Sequence, residues 1–206
     1  FVGVTEDLVI DLDDLAANAG QARVLILSHM RGHLCDMDRL MQICDEAGVT
    51  VIEDCAHTMG AAWNGVASGR QGAVGCYSCQ TYKHVNSGEG GLLITDDEDI
   101  AARAIMLSGS YMLFERHLAA PDPSVFDRIK YETPNISGRM DNLRAAILRP
   151  QLRDLDTQVK RWNARYRCVE EGLRDTPGLQ VINRPDAESY VGSSIQFLLL
   201  DWSADK

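Results

Sequence analysis

The strict succession of strand, helix and strand in residues 23–54 constrains this chain more than any other feature. "RVLILSH" is a short run rich in β-branched and aliphatic residues, the pattern of a strand buried on both faces. "DMDRLMQICDEAG" follows, with Asp36 placed as N-cap, Leu40, Met41, Cys44 and Ala47 at helical spacing, and Gly48 as the stop. "VTVIEDC" is the next strand. The order strand, helix, strand predicts a parallel pair joined by a right-handed crossover, so an α/β fold with a mostly parallel sheet is predicted. A glycine-punctuated loop then spans 60–75. "VGCYSC" and "GGLLIT" read as strands flanking a loop that contains Lys83. "DDEDIAARAIMLS" reads as a helix with acidic residues in its first turn, where the helix dipole favours them. Residues 109–138, with Pro121, Pro123 and Pro134, read as irregular. From 139 to about 173, Leu143, Ile147, Leu152, Leu155, Val159 and Trp162 recur at helical spacing, and Pro150 is expected to kink or split that helix. Residues from 178 onward read as the start of a smaller α+β domain, with "SIQFLLLDW" as a core strand. Phe1 opens inside an apparent strand and turn. Both ends are therefore expected to be cuts within a longer chain.

Charge narrows the function. The 206 residues carry a net charge of −10, with no basic run. Binding to nucleic acid needs clustered Lys and Arg, so that class is set aside. No apolar stretch is long enough to cross a bilayer, and no signal peptide is read. The six cysteines, at 35, 44, 55, 76, 79 and 168, fit reduced thiols in a cytoplasmic protein. Cys76 and Cys79 form a C-x-x-C. It lacks a second ligand pair for zinc and the helix N-terminus of a redox motif. Both read as small buried hydrophobes. No metal site is expected.

The chemistry concentrates between 53 and 95. In open parallel sheets, sites form at the carboxyl ends of strands. "VIEDCAH" is such an end, carrying Glu53, Asp54 and His57. A carboxylate leaving a buried strand needs a cation or hydrogen-bond donors. The plainer reading of Asp54 is a turn cap, and that of His57 a satisfied loop histidine. Lys83 lies in "SCQTYKHVNSGEGGLLIT", between hydroxyl residues and glycines. Its plainer reading is a surface lysine at a hairpin tip. Together these residues suit pyridoxal 5′-phosphate. That cofactor needs an amine for a Schiff base, an acid beside the ring nitrogen, and hydroxyls with backbone N–H groups for the phosphate. Lys83, Asp54, and Ser78 with Thr81 supply these parts, while Gly88, Gly90 and Gly91 allow close approach and unusual backbone angles. Of the remaining residues, Trp63 reads as a packed loop aromatic, Arg139 and Arg144 as structural or dimer contacts, Glu89 as an anchor of its own loop, and Met30, Met37 and Met41 as core filler.

At "SHMRGHLCDMDRL", "VIEDCAHTMGAAWNGVASGRQGAVGCYSCQTYK", "NSGEGGLLITDDED" and "GRMDNLRAAILRPQL" the chain resembles the DegT/StrS-type sugar aminotransferases, fold-type I pyridoxal phosphate enzymes. The resemblance implies a three-layer α/β/α large domain over 1–138, a long linking helix over 139–175, and the start of a small domain over 176–206. Lys83 matches the Schiff-base lysine and Asp54 the partner of the ring nitrogen. His57 falls where the family places Gln or His near the phenolic oxygen, and Ser78 matches the phosphate-binding serine. The family works as a homodimer with shared sites, in which an Asn of the neighbouring subunit reaches the phosphate. The family reads Asn, one residue, then Arg; here "NISGRM" puts Ser137 in that register and Asn135 two residues earlier, and Asn135 is carried as the candidate. The family's N-terminal phosphate loop and ring-stacking aromatic have no counterpart in this chain, which is expected to hold half a site and to be inactive alone. The implied reaction moves an amino group from glutamate or glutamine to a nucleotide-linked keto-sugar or a keto-cyclitol. Rival readings are a dehydratase of the same family, which replaces the lysine by histidine, a non-catalytic paralogue or dimerisation module, and a generic nucleotide-binding domain, for which "SHMRGH" lacks the glycine loop.

Overall fold

The computed structural model describes residues 1–109 and 112–200. In chain order the elements are α1 (Leu12–Asn18), β1 (Val24–Ser28), α2 (Met37–Ala47), β2 (Thr50–Asp54), β3 (Ala62–Trp63), β4 (Val66–Ala67), β5 (Val74–Ser78), β6 (Gly91–Ile94), α3 (Glu98–Ser108), α4 (Pro123–Ile129), α5 (Asn142–Arg153), α6 (Leu155–Leu173), β7 (Leu179–Val181), β8 (Glu188–Ser189) and β9 (Phe197–Leu199). The fold is α/β. Its main sheet has the order β1-β2-β5-β6; the first two pairings are parallel and the last antiparallel.

Local chemistry explains where α2 and α3 begin and end. Asp36 caps α2 by accepting from the Arg39 N–H, and Gly48 ends it in the left-handed region at φ 67°. Asp97 caps α3 through the Ile100 N–H. Leu40 and Cys44 of α2 pack with Leu15 of α1, Leu27 of β1 and Val51 of β2 to form the main core. Leu148 of α5 joins Met59, Cys79 and Val85 in a smaller cluster beneath the Lys83 loop.

Several sequence expectations are corrected. β1 is not buried on both faces: Leu27 is buried on one face, while Val24 and Ile26 on the other are 49% and 71% exposed; among the described residues β1 pairs only with β2. Met30 is exposed rather than core. The 60–75 loop contains the β3–β4 hairpin, and β8 adds to its edge antiparallel. The stretch read as irregular contains α4, capped by Asp122 with Pro123 in its first turn. Val125, Phe126 and Ile129 of α4 pack on Ala102, Ile105 and Met106 of α3. The helix after 139 does split, but at Asp154 (φ −99°, ψ 6°) and not at Pro150. Proline's own φ is helical, so α5 runs through it and stops one turn later. Among the described residues β9 pairs only with β7, and its Phe197 and Leu199 are exposed, so it is not a core strand. Residues 201–206 of the expected final segment, Trp202 included, lie outside the described residues. No helix among the described residues is long and apolar enough to cross a membrane.

Candidate active site

Three strand ends frame the site. In the parallel register Ser28 of β1 lies opposite Asp54 of β2, and Asp54 lies opposite Cys76 of β5, two residues before Ser78. Side chains alternate along a strand, so Glu53 and Asp54 point to opposite faces. Glu53 is 1% exposed. It accepts the N–H groups of Gly69, Gln71 and Gly72 at 2.7, 2.9 and 2.7 Å, and a hydrogen bond from His29 Nε2 at 3.1 Å. Burial pushes the Glu53 carboxyl up, but His29 and the backbone donors outweigh it and hold the group below the usual range. Glu53 thus has the donors that a buried carboxylate requires, and it fastens the loop between β4 and β5. His29, Glu53 and Cys55 bring metal-type atoms within 4.8 Å of one another. Glu53 has both oxygens engaged, and burial raises the Cys55 thiol to about 12, so the cluster is a structural network.

Asp54 is half-buried on the other face. Its Oδ1 accepts the Ala56 N–H at 3.1 Å and its Oδ2 accepts the Ser28 hydroxyl at 3.1 Å. The turn-cap reading therefore holds for one of its oxygens. The turn after β2, closed by Thr58 N–H to Cys55 O at 3.1 Å, carries His57.

The Lys83 loop is laced along its length. Cys79 donates to Gly90 O at 2.8 Å, Thr81 to Gly88 O at 2.9 Å and Ser87 to Cys79 O at 3.1 Å. Gly90 has φ 138°, a backbone conformation that strains any residue with a side chain and so favours glycine. Asn86 Nδ2 donates to Lys83 O at 3.2 Å, which braces the lysine backbone. The half-buried Lys83 reaches back so that Nζ lies 3.0 Å from His57 Nε2. Burial, then Lys83 and Arg31, lower the His57 pKa, and Asp54 partly offsets them. A neutral His57 that accepts from Lys83 at Nε2 carries its proton on Nδ1.

Lys83, His57 and Asp54 therefore share one neighbourhood, with His57 the group both others act on. Ser78 stands at the end of β5, half-buried, its hydroxyl accepting the Gln80 N–H at 3.3 Å and keeping its own proton to donate. The Thr81 hydroxyl donates to Gly88 O at 3.1 Å. Asn135 is not brought to Lys83 in this chain. It is exposed, accepts from Ser137 N at 2.8 Å, and sits against Gly109 at the end of α3. Trp63 is packed as expected, its indole N–H on Asp38 Oδ2 at 3.0 Å.

Sequence reasoning did not single out Ser28 or Arg31. The in-register pairing of two five-residue strands that both end in polar residues was the available signal for Ser28. Arg31 has a backbone φ of 57° and no pattern that marks it. His84 directly follows Lys83 in the sequence. Its Nε2 lies 2.6 Å from Ser193 Oγ and its ring packs on Trp162.

Comparison with known proteins gives a consistent picture. The family described as DegT/DnrJ/EryC1/StrS aminotransferase matches residues 1–203. L-glutamine:2-deoxy-scyllo-inosose aminotransferase of Streptomyces lividus is 34% identical over 154 residues, covering 72% of this chain and 35% of that protein. L-glutamine:scyllo-inosose aminotransferase of Streptomyces griseus is 34% identical over 163 residues, covering 78% of this chain and 37% of that protein. The crystal structure of S. venezuelae DesV in complex with a ketimine intermediate is similar over 95% of this chain and 50% of that one, with a TM-score of 0.80 at 27% identity. The chain thus spans about a third of the length of these two curated relatives.

Proposed function

The chain belongs to the DegT/DnrJ/EryC1/StrS aminotransferase family, and from that premise we propose that the full-length protein is a pyridoxal 5′-phosphate-dependent aminotransferase. Its amino donor is glutamine or glutamate, and its acceptor a keto-cyclitol or a nucleotide-linked keto-sugar. The named activities of the glutamine:inosose relatives support that donor and acceptor class. One observation carries the reading: the Lys83 amine lies 3.0 Å from Nε2 of His57, which follows Asp54 by three residues at the end of β2.

The donor set fits the cofactor. Lys83 would hold it covalently through its amine, Asp54 would partner its ring nitrogen, and Ser78 would donate to its phosphate. His57 would meet its phenolic oxygen. When bound, the cofactor supplies an electron sink for the carbon that loses its proton. The chain's residues do the rest. Asp54, held by two donors, would favour a proton on the ring nitrogen. Lys83, once free, would act as the base that removes the proton from the donor's α-carbon and, in the reverse half-reaction, as the acid that protonates the acceptor's carbon. Neutral His57 accepts a hydrogen bond from Lys83 and so fixes the direction of its amine. Homodimerisation with shared sites, Asn135 serving the partner's site, and a cytoplasmic location complete the proposal; six free thiols suit the last of these.

In the full-length protein, Lys83→Ala is expected to abolish the yellow, borohydride-reducible adduct with the cofactor and to reduce transamination at least about 10³-fold, the order seen when a covalent catalyst is removed. An adduct that survives Lys83→Ala overturns the assignment.

A further inference from the structure

We infer that Ser28 is a positioning residue for Asp54, and through it for a ring nitrogen. The inference rests on the functional reading above and adds a residue to it. β1 and β2 end together, Ser28 opposite Asp54. The Ser28 hydroxyl donates to Asp54 Oδ2 at 3.1 Å, while the Ala56 N–H takes Oδ1 at 3.1 Å. One donor on each oxygen fixes the plane of the carboxylate.

Ser28 is itself held in place. The next residue, His29, is 2% exposed and donates its backbone N–H to Asp54 O at 3.2 Å. The His29 ring bonds Glu53, which in turn gathers Gly69, Gln71 and Gly72. Ser28, the last residue of β1, and His29 after it therefore clamp adjacent carboxylates of β2, one on each face of the sheet. The buried half of the clamp sets the height of β1 against β2, and that height delivers the hydroxyl to Asp54.

The donor is neutral, and this matters. A hydroxyl orients the carboxylate and leaves its charge for the ring nitrogen. A lysine or arginine at this position would consume that charge. Ser28 therefore acts on binding only where the ligand presents a ring N–H to Asp54.

The test compares Ser28→Ala and Ser28→Thr with wild type in the full-length protein. Each is titrated with pyridoxal 5′-phosphate and with an analogue that has carbon in place of the ring nitrogen. A hydrogen bond to a charged group predicts that Ser28→Ala weakens the native cofactor roughly tenfold. Ser28→Thr, which keeps the hydroxyl, restores binding to within about twofold of wild type. The carbon analogue binds wild type and Ser28→Ala alike. Unchanged native-cofactor affinity in Ser28→Ala, or an equal loss with both compounds, overturns the role of Ser28. Wild type that binds neither compound overturns the functional reading instead.

Discussion

Glu53 and Asp54 are neighbours on one strand with different tasks. The two-residue period of a strand sends Glu53 into the packed side, where three backbone N–H groups and His29 meet it. It sends Asp54 to the half-open side with His57 and Lys83. Which face each took could not be read from "VIEDC", because both carboxylates end the same apolar run. Burial also sets the histidines. It pushes His33 down to about 4, helped by Arg184, and His84 down to about 4, helped by His57 and Lys83. Both are neutral when folded and regain an ordinary pKa when unfolded. Their contribution is therefore complete above about 6.5 and is lost as pH falls toward about 4, since the unfolded chain binds the extra protons. Glu53, with its lowered carboxyl, adds loss in the same direction, and Glu188, raised by burial, opposes it. Denaturant midpoints measured from about pH 7 to about pH 4, which span that window, are expected to fall. His84→Asn is expected to make that fall shallower. A fall as steep as in wild type would contradict a neutral His84.

At the scale of elements, α2 and α3 were legible because their caps are local. Asp36 and Asp97 bond backbone groups three residues on, and Gly48 turns within its own peptide. α4 carries a similar local signature, Asp122 with Pro123 then Val125, Phe126 and Ile129, but the prolines around it masked the pattern. The Lys83 loop was legible in composition and not in attachment. Gln151 of α5 grips it at Asn86, accepting the N–H at 3.0 Å and donating to the C=O at 2.7 Å. The contact spans 65 residues of sequence, so no local pattern reveals it. Gln151→Leu leaves both Asn86 groups without that partner and is expected to cost about 1–3 kcal/mol. Urea unfolding measures the loss, and hydrogen exchange at the Asn86 amide localises it. Exchange at wild-type rate in the variant would show that the loop holds without α5.

Across the whole molecule, residues 29–34 and 184–196 are stitched together by buried polar groups. Arg184 Nη1 pairs with Glu188 Oε1 at 2.8 Å and bonds Gly32 O at 3.1 Å, with its guanidinium over the Tyr166 and Tyr190 rings. Glu188 also takes the Leu34 N–H at 3.1 Å, and His33 meets Gln196 at 2.8 Å. Breaking a buried pair strands a charge, so Arg184→Met or Glu188→Leu alone is expected to cost about 3–5 kcal/mol. The double variant is expected to cost well under the sum, because neither charge is then left alone. A double-mutant cycle in denaturant tests this, and additive losses would mean that the two side chains act separately.

Local chemistry in the sequence was enough to establish the α/β succession, the capped helices α2 and α3, the glycine-laced lysine loop and the identity of Lys83, Asp54, His57 and Ser78 as candidates. Each depends on groups only a few residues apart, or on the resemblance to the family's motifs between residues 53 and 95. Folding in three dimensions decided that β1 is an edge, that Ser28 faces Asp54, that Lys83 turns onto His57, and that Gln151 and Arg184 fasten distant segments. Those outcomes depend on strand register and on side chains that meet across tens of residues, where the sequence lists the partners but does not say which will touch.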